Sequence, residues 1–181
     1  MEKQTKRQTT FTPTARFYAQ PYDISAVGFF FEGANDYRTK ASACRNAYGQ
    51  PLEEFEIQFI DGSDLDAALF EALSVSQATI VAFIAKLDEW DDHQKTRLII
   101  AVGEGGYSFD FDSDEPDDFD VDIYEDMRLT DLAYQFVDEG LFGDIPERLS
   151  YYLDYDAIAR DLGMDYAEIT ICGVNYVYRL A

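Results

Sequence analysis

The stretch Asp110-DFDSDEPDDFDVDIYED-Asp126 decides how this chain is read. Ten of its seventeen residues are Asp or Glu and none is Lys or Arg, yet Phe111, Phe119, Val121 and Ile123 sit among them. A disordered acidic segment would have no use for those apolar residues. In a strand, residues i and i+2 share a face about 6.6 to 6.8 Å apart. Asp110, Asp112 and Asp114 have that spacing, as do Asp118, Asp120 and Asp122. The alternation therefore predicts two extended pieces broken at Pro116. Phe111, Phe119, Val121 and Ile123 would face a core and the carboxylates would form outer rows. Asp117, Glu125 and Asp126 belong to the same charged stretch.

The rest of the composition supports a folded protein around this element. The chain has 181 residues, 47% hydrophobic and 15% aromatic, enough for a core in one domain or in two or three small ones. No apolar run approaches the roughly 20 residues that span a bilayer. The opening MEKQTKRQTTFTPT reads as a flexible leader over 1–14, polar and slightly basic. Cys44 and Cys172 are far apart in unlike contexts, which points to reduced thiols in a cytoplasmic protein. Both read as core residues.

Charge is distributed unevenly. The net charge is −22, but residues 104–181 hold 21 acids against 4 bases, whereas residues 1–103 hold 15 against 10. Such a surface repels nucleic acid and anionic membrane and attracts basic surfaces. Adaptation to high salt would spread the acids over the whole chain.

Periodicity divides the chain into an N-terminal α+β sheet domain (15–62), a central helical domain (63–103) and a C-terminal acidic α+β domain (104–181). The first carries aromatic strands ARFYAQP and VGFFFE around a turn at YDIS, then a helix over Asn35 to Tyr48. The strand EFEIQFID follows, with Phe55, Ile57 and Phe59 on one face. The second has helices with stripes Leu65, Leu69, Leu73 and Ile80, Phe83, Ile84, Leu87, the first capped near Ser63. A third helix spans about His93 to Ala101, although LIIAV could also be a strand. In the third, TDLAYQFVDEG predicts a helix capped by Thr130 and stopped by Gly140. Leu132, Ala133, Phe136 and Val137 take its inner side; Asp131, Asp138 and Glu139 take its outer side. A helix opening at Pro146, a short helix capped by Asp154 and a terminal hairpin complete it.

Reaction chemistry finds little purchase. Asp110, Asp112 and Asp114 fit the first positions of a calcium loop, but Glu115 stands where its glycine belongs and Val121 where its bidentate Glu belongs. His93 reads as an exposed helical residue, and no carboxylate pair stands out among 36 acids. GEGG lacks the Lys-Ser/Thr of a phosphate loop, and no Cys/His zinc spacing is present. No catalytic residue, metal ligand or cofactor is assigned. What remains is geometry. Fixed rows of single negative charges resemble a nucleic-acid backbone, with about one charge per 3.4 Å per strand. The plain alternative is an ordinary solvated acidic face.

One segment narrows the choice. The run LAYQFVDEGLFGDIPERLSYYLDYDAIARDL, Leu132 to Leu162, resembles the C-terminal region of the ArdA antirestriction proteins. The likeness lies in the acid-flanked helix entering Gly140-Leu141, in Ile145-Pro146, and in Leu-x-x-Tyr-x-Asp-Tyr-x-Ala-x-Ala-Arg-Asp-Leu from Leu149 to Leu162. The family's antirestriction motif corresponds to about Leu132 to Gly143. RFYAQPYDISAVGFFFE resembles the family's opening strands only loosely, and the middle segment matches in character alone.

The resemblance implies an elongated three-domain protein that mimics bent B-form DNA. It implies a homodimer joined through the C-terminal domain, with no direct nucleic acid binding and no membrane. The implied partner is the DNA-binding groove of a type I restriction–modification enzyme, at its methyltransferase core. The implied contacts are Asp110, Asp112, Asp114, Asp117, Asp118, Asp120, Asp122, Glu125 and Asp126, together with Asp131, Asp138 and Glu139. Phe136, Gly140, Leu141, Phe142 and Gly143 form the motif, with Leu141 and Phe142 either core or dimer interface. Two other readings stand beside it: a general acidic module that sequesters a basic protein, and a divalent-metal-binding protein or metal-dependent enzyme using 110–122.

Overall fold

The computed structural model describes residues 15–180; the leader assigned to 1–14 lies outside the described residues. The chain runs β1 (Arg16–Pro21), β2 (Phe29–Phe31), α1 (Ala34–Ala43), β3 (Phe55–Asp61), α2 (Asp64–Ala72), α3 (Ile80–Leu87) and α4 (Asp92–Leu98). A π-helical turn at Ile99–Glu104 and a 3-10 turn at Pro116–Asp118 lead to β4 (Val121–Glu125). Then come α5 (Leu129–Asp138), α6 (Glu147–Ser150), α7 (Tyr155–Leu162), β5 (Ala167–Ile171) and β6 (Val174–Leu180). The architecture is mixed α and β, with helices and two separate antiparallel sheets ordered β2-β1-β3 and β4-β6-β5.

Alternation builds the first sheet. Phe17 and Ala19 of β1 and Phe55 and Ile57 of β3 are buried on one face, with Phe59 half-buried beside them. Phe17 stacks on Phe31 at 5.3 Å and meets Phe59, Phe70 and Phe83, so one ring ties the sheet to α2 and α3. Losing such a side chain costs about 3–5 kcal/mol. The helix expected over Asn35 to Tyr48 ends at Ala43, where Cys44 turns extended. Downstream, the Asn46 side-chain oxygen accepts from the backbone N–H of both Tyr48 and Gln50. That local turn competes with helical hydrogen bonding and wins.

The central helices follow their stripes. Ser63 Oγ accepts from Asp66 N at 3.0 Å and starts α2; Leu69, Ile80 and Phe83 are fully buried. LIIAV is helical, because α4 continues into the π-turn that ends at Gly105. Asp66 and Lys95 form a buried ion pair at 2.7 Å that fastens α2 to α4.

Buried residues from all three segments, among them Phe17, Leu69, Ile100, Val121 and Tyr178, belong to one contiguous apolar cluster. Leu132, Phe136 and Val177 form a second, smaller one between α5 and the C-terminal sheet. The terminal hairpin turns on Cys172 (φ 51°) and Gly173 (φ 84°), both left-handed, as a two-residue hairpin loop requires. Cys172 is therefore exposed at the turn, not buried in a strand, and Cys44 is half-buried at the end of α1. Cys172 is thus not core, whereas Cys44 packs from its half-buried position against the main apolar cluster.

Candidate functional site

The acidic stretch takes a different backbone from the one its alternation predicts. Only Asp122 and Glu125 of the twelve candidate acids lie on a strand, β4. Asp110 to Asp114 fold into a tight turn, with Asp114 N donating to Asp110 O at 2.9 Å. The carboxylates build that turn. Asp110 N donates to Asp114 Oδ2 at 2.9 Å, and Asp112 N donates to Asp110 Oδ1 at 3.0 Å. Asp118 does the same next door, accepting from Glu115 N at 2.9 Å across the 3-10 turn that Pro116 opens. Alternation alone missed this, because Asp side chains capture nearby backbone N–H groups and favour turns over strands.

The apolar residues nevertheless play the part expected of them. Val121 is buried, and Phe111, Phe119 and Ile123 pack against the main core. Phe109 and Phe111 meet edge to face at 5.0 Å, and Trp90 stacks near Phe111 at 6.3 Å. Phe119 closes on Phe109 and Tyr107. Arg97 donates to Phe119 O at 3.0 Å from α4. Aromatic burial on one side thus fixes a loop whose carboxylates point to the other.

Two basic residues are spent on holding this surface. Lys86 bridges Glu89 and Glu115 at 3.2 and 3.0 Å, and the Trp90 indole N–H donates to Glu115 at 3.4 Å. Hydrogen bonding from Lys86, then from Trp90, holds the Glu115 carboxyl below its ordinary range. Arg179 pairs with Asp122 across the β4–β6 ladder at 2.6 Å and lies over the Tyr166 ring. Asp122 is the one candidate acid in an ion pair among the described residues. Asp110, Asp112, Asp117, Asp118, Asp120, Glu125 and Asp126 are exposed, with Asp114 half-buried.

The α5 region extends this surface. The helix begins two residues earlier than its Thr130 cap suggests, with Arg128 at the cap position. Asp131 reaches back from the third helical position to accept Arg128 N at 2.9 Å, and Glu168 accepts Leu129 N. Leu132, Ala133 and Phe136 are buried, Val137 is half-buried, and Asp131, Asp138 and Glu139 are exposed. Gly140 (φ 75°) and Gly143 (φ 89°) turn the chain through left-handed backbone, leaving Leu141 and Phe142 exposed at 58% and 52%. Phe136, by contrast, is engaged within its own chain, against Tyr124 and Tyr166.

The carboxylates do not gather into a metal site. Among the described residues no group of three or more His, Cys, Asp or Glu is placed to hold an ion. His93 is exposed near the start of α4. No described helix is long and apolar enough to cross a membrane.

No curated protein matches the chain. A family model described as antirestriction protein (ArdA) matches residues 24–176, from β2 through the central helices and the acidic loop to the start of β6, with β1 outside the match. The chain belongs to the ArdA family of antirestriction proteins.

Proposed function

We propose that this chain is a non-catalytic DNA mimic that occupies the DNA-binding groove of a type I restriction–modification enzyme, at its methyltransferase core, in the cytoplasm. The observation that carries the reading is the contrast between backbone and charge at the acidic loop. Aromatic packing and backbone hydrogen bonds order the segment. Eleven of the twelve candidate acids, all but Asp122, nonetheless have no basic partner among the described residues. An ordered, unneutralised carboxylate surface is costly to a fold by self-repulsion. It suits a partner groove lined with Lys and Arg that ordinarily releases counterions from phosphates. We further read the chain as three small domains in an elongated arrangement. We read it also as a homodimer through the C-terminal domain, where Leu141, Phe142, Leu149, Tyr151 and Tyr152 are exposed.

The test is competition with duplex DNA for a purified type I methyltransferase core at two salt concentrations. Competition that weakens as salt rises is the expected result. Absence of competition, or competition indifferent to salt, would sink the mimic and leave the general acidic module.

A further inference from the structure

Strand β5 is an edge of the C-terminal sheet, whose order is β4-β6-β5. Register shows which of its backbone groups are free. The hairpin turns on Cys172 and Gly173 alone, so Ile171 and Val174 form the hydrogen-bonded pair that closes it. Bonded and non-bonded pairs alternate along an antiparallel ladder. Ile169–Tyr176 and Ala167–Tyr178 are therefore bonded, whereas Glu168–Val177 and Thr170–Asn175 are not. The N–H and C=O of Glu168 and Thr170 point away from β6, and among the described residues no other group bonds to them. Proteins commonly blunt such an edge with Lys, Pro or a bulge. β5 reads AEITI and pairs without a register shift, so it carries none of these.

The edge opens on a groove of about 570 Å³. Ala68 and Glu71 of α2 and Val102 and Glu104 of the π-helical turn face Ile169 and Thr170 across it. Glu71, Glu104 and Glu168 are exposed, and none has an ion-pair partner among the described residues. An extended backbone answers the free N–H and C=O groups, and basic side chains answer the carboxylates. A second copy of β5 suits the site poorly, because it would bring the same three acids of two chains together.

One segment of this chain has the required character. Residues 3–22 hold four bases, Lys3, Lys6, Arg7 and Arg16, and no acid. Residues 3–12 are rich in Thr, lack Gly and reach their first Pro only at Pro13, a composition that suits a strand. The segment also starts in the right place. A Cβ on Gly62 would lie 3.4 Å from the Ala15 Cα, which sets the start of the described chain beside the start of α2. The far end of α2 walls the groove. A helix of 9 residues is about 13 Å long. Residues 9–14 span about 20 Å when extended, enough to cover it.

We infer that residues 3–8 dock on β5 as a further strand of the C-terminal sheet. They bond the free groups of Glu168 and Thr170 and bring Lys3, Lys6 and Arg7 to Glu71, Glu104 and Glu168. The tether holds the segment at an effective concentration in about the millimolar range, so weak pairing suffices. The family match begins at residue 24, beyond this segment.

Amide hydrogen exchange on the full chain tests the docking. Glu168 and Thr170 N–H should be protected in the full chain and exchange at least about tenfold faster once residues 1–14 are deleted. Ile169 and Ile171, bonded to β6, should keep their protection and so report an intact hairpin. The variant Thr5→Pro/Gln8→Pro keeps every charge but removes two strand N–H groups, and should lose the same protection. Equal rates at Glu168 and Thr170 with and without residues 1–14 would overturn the docking. Protection that survives the proline variant would overturn it too, since the bases would then act without a strand. Protection that falls on dilution of the full chain would assign the edge to a second copy and overturn it likewise. No restriction enzyme enters the measurement, so its outcome is independent of the mimic reading.

Discussion

Arg179 donates through Nε and Nη2 to a single oxygen of Asp122, at 3.0 and 2.6 Å, from the strand paired with it. The pair cancels one carboxylate in a surface whose other eleven candidate acids have no ion-pair partner among the described residues. Asp122→Asn is therefore expected to change inhibition less than about twofold, and stability by about 0–1 kcal/mol, because the pair is exposed. Arg179→Gln frees the Asp122 charge and should strengthen competition at low salt. A large loss of inhibition in Asp122→Asn, with unchanged melting, would show that Asp122 itself meets the partner.

Charge spread over many sites should make single changes mild. Asp112→Asn, Asp120→Asn or Asp138→Asn alone is expected to alter inhibition little. Neutralising Asp112, Asp117 and Asp120 together should weaken it strongly and flatten its salt dependence. Asp110 and Asp114 are left intact in that block because their side chains hold the turn. One substitution that abolished competition would argue for a specific contact instead.

Glu115 offers a pH readout through the chain's single tryptophan. Its folded pKa is lowered from 4.5, first by Lys86 and then by Trp90. A lowered carboxyl pKa means its stabilising contribution is complete above the unfolded value and is lost as pH falls through the folded one. Trp90 emission should therefore titrate with a midpoint below 4.5. Lys86→Met should move that midpoint upward, and Glu115→Gln should remove the step. A step that persists in Glu115→Gln would place its origin elsewhere.

The buried pair between Asp66 and Lys95 is the fold's most exacting electrostatic contact, at 2.7 Å with both side chains 9% exposed. Lys95→Met leaves Asp66 buried without its partner and should cost about 3–5 kcal/mol in urea unfolding. The double change Asp66→Leu/Lys95→Met should recover much of that loss. If Lys95→Met alone proves neutral, water reaches Asp66 more freely than its burial implies.

Leu141 and Phe142 test the proposed dimer. Light scattering at micromolar concentration should give twice the 20.7 kDa chain mass for the native protein. It should give a single chain mass for Leu141→Ser/Phe142→Ser. The far-UV circular dichroism of that variant should be unchanged, because both side chains are largely exposed.

Periodicity made much of this protein legible in one dimension. The strict alternation of EFEIQFID, the leucine stripe behind Ser63 and the inner face of α5 all appear where spacing puts them. Each is a pattern in which neighbouring residues share one burial environment, so local sequence carries the answer. The family likeness was likewise written in a contiguous run, Leu132 to Leu162. Other features were settled only in three dimensions. The acidic stretch alternates like a strand but folds mainly as turns, because its carboxylates found backbone donors and its phenylalanines found Trp90 in the turn between α3 and α4. Asp122 looks like its neighbours in the sequence; only the register of β4 against β6 sets Arg179 beside it, 57 residues away. Cys172 reads as strand interior until the hairpin closes on it with positive φ. Sequence spacing fixes which side chains share a face, whereas long-range pairing decides which charges are cancelled and which remain for a partner.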